Sequence, residues 1–267
     1  MSTPTTHEVY AVRYAHRQAR RADHFVGGDP HDGPMDMDYF VWAIKGDGRI
    51  WVVDTGFTAT DAAARNRQLL RTAAEGLALI GVDAAAVADV IVTHLHYDHI
   101  GGFAQFPRAR FHLQDKEMSY ATGRHMVQPA INHAFAVDHV IGMVREVYKG
   151  RVVFHDGDAE LAPGLSLHLV GGHTMGLQVV RVFTRLGWIV LASDASHYYE
   201  NMESGRPYPI VYDLADMKAA FARLRALADK PAYIVPGHDP LVMQRYTAMS
   251  PALEGIAVRL DAEPRAI

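Results

Sequence analysis

The chain has 267 residues, of which 49% are hydrophobic and 21% charged, a composition typical of a globular protein with a sizeable core. Its net charge of −4 demands no basic face and no apolar run approaches the ~20 residues of a membrane span, so we expect neither nucleic acid nor a membrane as partner. The absence of cysteine excludes disulfides and thiol chemistry, and because we find no secretory signal we expect a cytoplasmic protein.

Short runs rich in β-branched and aromatic residues predict eight strands, at 39–44, 49–54, 89–93, 151–154, 165–170, 178–184, 188–193 and 232–236. The "GDG" at 46–48 predicts a hairpin turn between the first two strands. Helical periodicity covers 62–80, 129–149 and 214–228. Because strands dominate and several can pair as hairpins, we predict an α+β fold in which two mixed sheets pack together under helices.

The stretch from about 115 to 150 is a helical block between strand-like segments. It is rich in methionine, histidine and aromatic residues, including Tyr120, Met126, His133 and Phe135. Two interpretations stay open for this block. It is either an ordinary amphipathic packing element or a cap over a ligand pocket, since insertions often carry binding function.

The segment "THLHYDHIGG" places four polar side chains directly after a predicted strand, where each needs a partner if it is buried. Three further candidates also follow predicted strands, each after a glycine or another small residue: "GGH", "SD" and "PGH". Because strand ends in layered α/β folds open onto a common rim, we expect all of these side chains to converge. The candidates are His94, His96, Asp98, His99, His173, Asp194 and His238.

The residue types and their spacing indicate a metal site. Alternate side chains of an extended segment share a face, so His94 and His96 can hold one ion while Asp98 and His99, beyond the turn, reach a second. Imidazole and carboxylate ligands suit Zn²⁺, with Fe, Mn or Co as alternatives. Seven candidates exceed one tetrahedral zinc and match two ions that share a bridging carboxylate.

The ordered set of these motifs resembles the metallo-β-lactamase superfamily. The resemblance implies a four-layer αββα sandwich over residues 1–267 as a single domain, with 115–150 as a helical insertion that caps the active site. The segment "VVDTG" at 52–56 is similar to the end of an early strand in this superfamily, which implies that Asp54 supports a metal ligand by a hydrogen bond. The implied metal ligands are His94, His96 and His173 for one Zn²⁺, Asp98, His99 and His238 for the other, and Asp194 as the bridge.

Within the superfamily the chain is most similar to the N-acyl homoserine lactonases. The cues are "HLHYDHIGG", the insertion after "FHLQDKE" and the run "SDASHYYENMESGRPYPIVYDLADM". The resemblance implies a quorum-quenching hydrolase that opens a small-molecule lactone by attack of a metal-bridging hydroxide. Family members are often dimers, which leaves a homodimer open.

The predicted catalytic and substrate-binding residues follow from the same resemblance. We expect Asp98 to shuttle a proton to the leaving alkoxide. Where the familiar lactonases have a tyrosine three residues after the bridging aspartate, this chain has His197, which we expect to donate a hydrogen bond to the oxyanion, followed by Tyr198 as a further substrate contact. The front segment "GGDPHDGPMDMDYFVW" is either a surface loop or a pocket lining that contributes Met35, Met37 or Tyr39.

Several rivals are distinguished by single features. A β-lactamase with a cysteine ligand is excluded because the chain has no cysteine. A flavodiiron site would have a carboxylate at the position of His96. Glyoxalase II has a sizeable C-terminal part that binds glutathione, whereas only 29 residues follow His238 here. Superfamily nucleases need a basic face. The alternative that remains is an esterase, aryl esterase or other lactone hydrolase with the same two metals. A metal-binding or sensor protein without turnover would be expected to lack at least one ligand, whereas all seven are present.

Overall fold

The computed structural model describes residues 4–266. Its strands are β1 (Glu8–Arg17), β2 (Met37–Gly46), β3 (Arg49–Val53), β4 (Gln68–Leu69), β5 (Asp89–Ile91), β6 (Arg110–Gln114), β7 (Val152–His155), β8 (Ala159–Ala162), β9 (Leu165–Leu169), β10 (Gln178–Thr184), β11 (Gly187–Ser193), β12 (Ile234–Pro236), β13 (Thr247–Ala248) and β14 (Ala257–Arg259). Its α-helices are α1 (Ala59–Arg65), α2 (Ala73–Leu79), α3 (Tyr97–Ile100), α4 (Asp115–Ala121), α5 (Pro129–Asn132), α6 (Val137–Tyr148), α7 (Tyr199–Ser204), α8 (Leu214–Leu227) and α9 (Leu241–Arg245). None of these helices combines the length and the apolar character that crossing a bilayer requires.

The strands form two sheets. The larger has the order β13-β14-β1-β2-β3-β5-β6-β7, with the short β4 paired to β1, and the smaller has the order β12-β11-β10-β9-β8. β1 pairs antiparallel with β2, and β2 with β3, whereas β3, β5, β6 and β7 are mutually parallel, as are β11 and β12. Neighbouring parallel strands end at the same edge of a sheet, and the candidate ligands lie in the loops directly after such strand ends.

Side-chain alternation along the strands divides the core into two layers. In β1, Val9 and Ala11 point to one cluster and Tyr10 and Val12 to the other, as the period of two in a strand requires. The first cluster lies between the sheets and extends beneath α8, and the second lies between the larger sheet and the helices α2 and α6. The order of layers is therefore helix, sheet, sheet, helix, which confirms the predicted α+β fold.

All eight predicted strands form, with small shifts at their ends, but two predicted helices are wrong as continuous elements. The helix predicted at 62–80 ends at Asn66, which adopts the left-handed conformation at φ 52°, and a second helix begins after the Thr72 cap, whose hydroxyl accepts from the Glu75 amide. Between them, β4 pairs with β1. The helix predicted at 129–149 is likewise divided into α5 and α6.

Candidate metal centre

The seven candidate ligands meet at one edge of the sandwich. Four follow β5, two of them on the short helix α3, while His173, Asp194 and His238 follow β9, β11 and β12 of the smaller sheet. The six other than Asp98 are at most 4% exposed. Two sheets therefore contribute to one buried cluster, as the strand-end pattern predicts.

Three imidazoles form the first half of the cluster. The Nε2 atom of His94 lies 3.0 Å from Nδ1 of His96, and Nε2 of His173 lies 3.1 Å and 2.9 Å from those two atoms. A tetrahedral Zn²⁺ with bonds of about 2.0–2.1 Å would separate its nitrogen ligands by about 3.3 Å. The triangle is thus close to the size that a single small cation requires.

Asp98, His99 and His238 form the second half. The Asp98 carboxylate lies 3.7 Å from Nε2 of His99 and 3.8 Å from Nε2 of His238. Nε2 of His99 is buried and has no hydrogen-bond partner among residues 4–266. An orphaned buried nitrogen that faces a carboxylate is the arrangement expected of a ligand to a cation.

The Asp194 carboxylate stands between the two halves. Its Oδ1 lies 3.3 Å from Nε2 of His99 and 3.1 Å from Nε2 of His238, while its Oδ2 lies 3.3 Å from Nε2 of His173 and 3.8 Å from Nε2 of His94. One oxygen faces each half of the cluster, which is the geometry of a carboxylate that two ions can share.

Hydrogen bonds from behind fix the orientation of three rings. Nδ1 of His173 donates to the Ile210 carbonyl at 2.7 Å, and Nδ1 of His238 donates to the Asp38 carbonyl at 2.9 Å. Nδ1 of His99 lies 2.7 Å from the Asp54 carboxylate. Because each Nδ1 carries the proton, the lone pair of the opposite Nε2 is directed into the cluster, as metal coordination requires.

Asp54 has the supporting position expected from the sequence. It is completely buried, it adopts φ 62° at the end of β3, and besides His99 it accepts hydrogen bonds from the amide and hydroxyl of Thr93, both at 2.8 Å. Three donors therefore hold one carboxylate directly behind the second half of the cluster.

Burial and charge set the protonation of the cluster. Burial, with a smaller contribution from neighbouring imidazoles, lowers the pKa of His94 and of His96 well below the usual value, so both rings are neutral ligands. Burial opposes ionisation of Asp194, but the imidazoles of His238 and His99 hold its pKa well below the usual range. His94 and His96 thus present neutral imidazoles beside the ionised Asp194 carboxylate, and imidazole and carboxylate donors fit divalent metal ions.

His197 lies against the cluster. Its Nε2 is 2.9 Å from Oδ2 of Asp194, and its ring stacks on Tyr208 with 3.4 Å between ring centroids and 11° between planes. The Tyr208 hydroxyl in turn donates to the Asp194 backbone carbonyl. The hydrogen bond with Asp194 occupies the His197 nitrogen nearest the cluster, and Tyr208 is a residue that the sequence did not single out.

A cavity of about 260 Å³ opens over the cluster. Of the residues expected to contact substrate, His197, Tyr39 and Met37 line it. Tyr198 and Met35 line a separate cavity instead. The Tyr198 hydroxyl donates to the Asp36 carbonyl, away from the cluster.

The helical block at 115–150 reaches this cavity through a few residues. His133 and Ala134 line it, the Ala134 carbonyl accepts the Tyr97 amide at 3.0 Å, and the Phe135 ring meets His96 edge-on at 4.5 Å. The start of the same block supplies Glu117, which sequence reasoning missed because an acidic residue in a first helical turn is usually exposed.

Glu117 is completely buried and joins the loops that carry three ligands. Its Oε1 accepts the Leu95 amide at 2.9 Å, between His94 and His96. Its Oε2 accepts the Thr174 hydroxyl at 2.6 Å and the Gly176 amide at 3.0 Å, just after His173. One carboxylate thus links the two chain segments of the first half of the cluster.

Two groups of candidate metal ligands with one carboxylate between them, at the edge of an αββα sandwich, are the arrangement of a metal-dependent hydrolase. Residues 37–238 match the family model of the metallo-beta-lactamase superfamily, and the chain belongs to that superfamily. The resemblance inferred from the motifs is therefore confirmed.

Individual relatives are distant. A "Probable metallo-hydrolase" of Mycobacterium tuberculosis is 26% identical over 241 residues, 76% of this chain and 75% of the relative. An N-acyl homoserine lactonase of Bacillus cereus is 27% identical over 211 residues, 70% of this chain and 76% of the relative. A solved dizinc quorum-quenching lactonase in complex with its product has a TM-score of 0.69 at 18% identity, over 90% of each chain.

Proposed function

We propose that the protein opens the ring ester of N-acyl homoserine lactones with the help of two divalent cations. The observation that carries the hydrolytic part is the Asp194 carboxylate, whose oxygens face two separate ligand groups at the floor of a cavity. The likeness to lactonases from bacilli and to the dizinc lactonase supports the choice of substrate.

Each half of the cluster would hold one cation. His94, His96 and His173 would bind the first and Asp98, His99 and His238 the second, with Asp194 shared. We propose Zn²⁺ because imidazole and carboxylate ligands suit it, although Fe, Mn and Co accept the same donors. Cations bound there would supply Lewis acidity, which lowers the pKa of water and polarises an ester carbonyl.

Asp98 is proposed to move the proton. It lines the cavity, and its side chain is 11% exposed, the most open of the seven. It would accept the proton of the attacking water as the water oxygen bonds to the ester carbon. When the ring C–O bond breaks, Asp98 would return that proton to the leaving alkoxide.

His197 is proposed to stabilise the carbonyl oxygen as it gains negative charge. For this role its Nε2–H would exchange the hydrogen bond to Asp194 for one to the substrate, while stacking on Tyr208 keeps the ring in place. Met37, Tyr39 and Ile210 would contact the acyl arm, and residues 115–150 would act as the cap through His133 and Ala134.

The test combines turnover with metal content. Wild-type protein is assayed on N-hexanoyl homoserine lactone, and simple lactones and aryl esters are assayed in parallel because an esterase would use the same cations. We expect His96→Ala and Asp194→Ala to lose both bound metal and lactone opening. His31→Ala removes a histidine whose side chain is 91% exposed and should change neither. Unchanged turnover in a metal-free variant, or no turnover by metal-loaded wild type, would contradict the proposal.

A further inference from the structure

We propose that the substrate carries a carboxylate on its acyl arm and that Arg67 binds this group. The inference rests on the proposed lactone hydrolysis and narrows its substrate class. Its basis is the wall of the cavity over the ligand cluster, which contains three arginines. An alkyl chain has neither a negative charge nor a hydrogen-bond acceptor that could bind to these arginines.

Two of these arginines already have partners. Arg17 approaches the Asp23 carboxylate at 3.5 Å. Arg65 donates to the carbonyls of His133 at 2.6 Å and Phe135 at 3.0 Å, and its guanidinium lies 4.0 Å from the centre of the Tyr97 ring. Their positions are fixed by the protein itself.

Neither Arg65 nor Arg67 has a counter-ion, but both terminal nitrogens of Arg65 donate to carbonyls, whereas Nη2 of Arg67 donates to no residue among 4–266. Arg67 is half-buried, its Nε donates to the Tyr97 hydroxyl at 3.1 Å, and its Nη1 donates to the Arg65 carbonyl at 2.6 Å. Within residues 4–266 no carboxylate oxygen lies within 4.0 Å of its guanidinium nitrogens. A half-buried cation without an opposite charge is costly, and an anionic ligand would offset that cost.

Arg67 is connected to the second half of the cluster through contacts with Tyr97 and Tyr39. The Tyr97 hydroxyl that it contacts lies 3.5 Å from the Tyr39 hydroxyl, and the Tyr39 ring meets the His238 ring edge-on at 5.0 Å. A substrate held at the cluster can therefore extend along this tyrosine wall to Arg67. The arginine is a specificity residue in this proposal and takes no part in bond breaking.

The charge and shape of the site favour a carboxylate on a short arm. The guanidinium of Arg67 has a free Nη2 and no counter-ion, and the planar fork of a guanidinium suits the two oxygens of a carboxylate. The cavity of about 260 Å³ is smaller than the ~300–1,000 Å³ typical of sites for drug-sized ligands. These features predict a short, acidic acyl group in place of a long alkyl tail.

The experiment uses two homoserine lactones of nearly equal shape. N-succinyl homoserine lactone carries the carboxylate, and N-(4-methylpentanoyl) homoserine lactone carries an isopropyl group instead. We expect metal-loaded wild type to prefer the succinyl compound by about 10-fold or more in kcat/KM, mainly through KM. Arg67→Gln should lose this preference while its kcat/KM for the isopropyl compound stays within about threefold, and Arg67→Lys should keep part of it.

Arg71→Gln is the matched control. Arg71 is also half-buried and also donates to a backbone carbonyl, that of Arg13, but it does not line the cavity. This variant should keep the wild-type preference. The inference is overturned if wild type prefers the isopropyl compound. It is also overturned if Arg67→Gln lowers kcat/KM equally for both lactones, because the guanidinium would then bind the carboxylate formed by ring opening or stabilise the fold.

Failure of the lactonase proposal gives a different result. If wild type opens neither lactone, that proposal fails, and the binding of succinate to the metal-loaded protein by calorimetry decides the role of Arg67. We expect the Kd of succinate to rise about 10-fold in Arg67→Gln and to stay unchanged in Arg71→Gln. Equal Kd values for wild type and Arg67→Gln would overturn the inference.

Discussion

Replacing Glu117 by glutamine tests whether this buried carboxylate positions the metal ligands. The wild-type side chain accepts three hydrogen bonds, one from the Leu95 amide and two from Thr174 and Gly176. Burial raises its pKa to about 7, so at pH 8 the carboxylate form predominates. Glutamine has one acceptor oxygen, and the NH₂ group that replaces the second oxygen can only donate.

The magnitude follows from the bonds that glutamine can keep. With its oxygen toward Thr174 and Gly176, its NH₂ group faces the Leu95 amide, and that buried N–H loses its acceptor. An unsatisfied buried donor costs about 1–3 kcal/mol. Because Leu95 lies between His94 and His96, part of this cost should appear in metal binding, as a loss of about 10- to 100-fold in affinity.

The assay measures zinc affinity by competition with a chelator at pH 8 and the free energy of unfolding in urea. Glu146→Gln is the control, since Glu146 is also buried but pairs with Lys149 and Arg151 near the C-terminal end of α6. Both variants should lose stability, and only Glu117→Gln should lose metal affinity. Equal zinc affinity in the two variants would refute the positioning role.

Three further predictions concern other parts of the fold. Asp54→Asn should lower the affinity for one of the two metal ions by about 10- to 100-fold, because it disrupts the hydrogen bond to His99. Elemental analysis after dialysis measures the loss of that ion. Burial lowers the pKa of His24 to about 4 from 6.5, so wild type should lose about 2–3 kcal/mol of stability from this group as pH falls from 7 to 4.5, and His24→Asn should lack that loss in urea titrations. In Gly176→Ala the added methyl group would overlap the Glu117 backbone nitrogen, and urea unfolding should report a loss of about 1–3 kcal/mol.

The parts of the fold that the sequence predicts well are those with a local signal. Continuous apolar runs mark β10 and β11 because both strands are buried between layers. The candidate ligands are recognisable because each follows such a run within a few residues. The convergence of His173, Asp194 and His238 then follows from the common direction of β9, β11 and β12.

The features that escaped prediction depend on contacts between distant segments. β1 contains Arg13 and His16, which interrupt its apolar character, and it is stabilised by pairing with β2, β4 and β14. Glu117 gains its role from partners 22 to 59 residues away. Tyr198 follows His197 directly, yet the chain turns its ring toward His24 and away from the cluster. Sequence spacing alone does not fix such directions.

The dinuclear centre is tested most directly by anomalous diffraction from crystals of the protein grown with zinc, combined with elemental analysis of the same sample. We expect two peaks about 3.5–4 Å apart, one on each side of the Asp194 carboxylate, and about two metal ions per chain. A single peak, or peaks remote from Asp194, would contradict the dinuclear centre and the mechanism that depends on it.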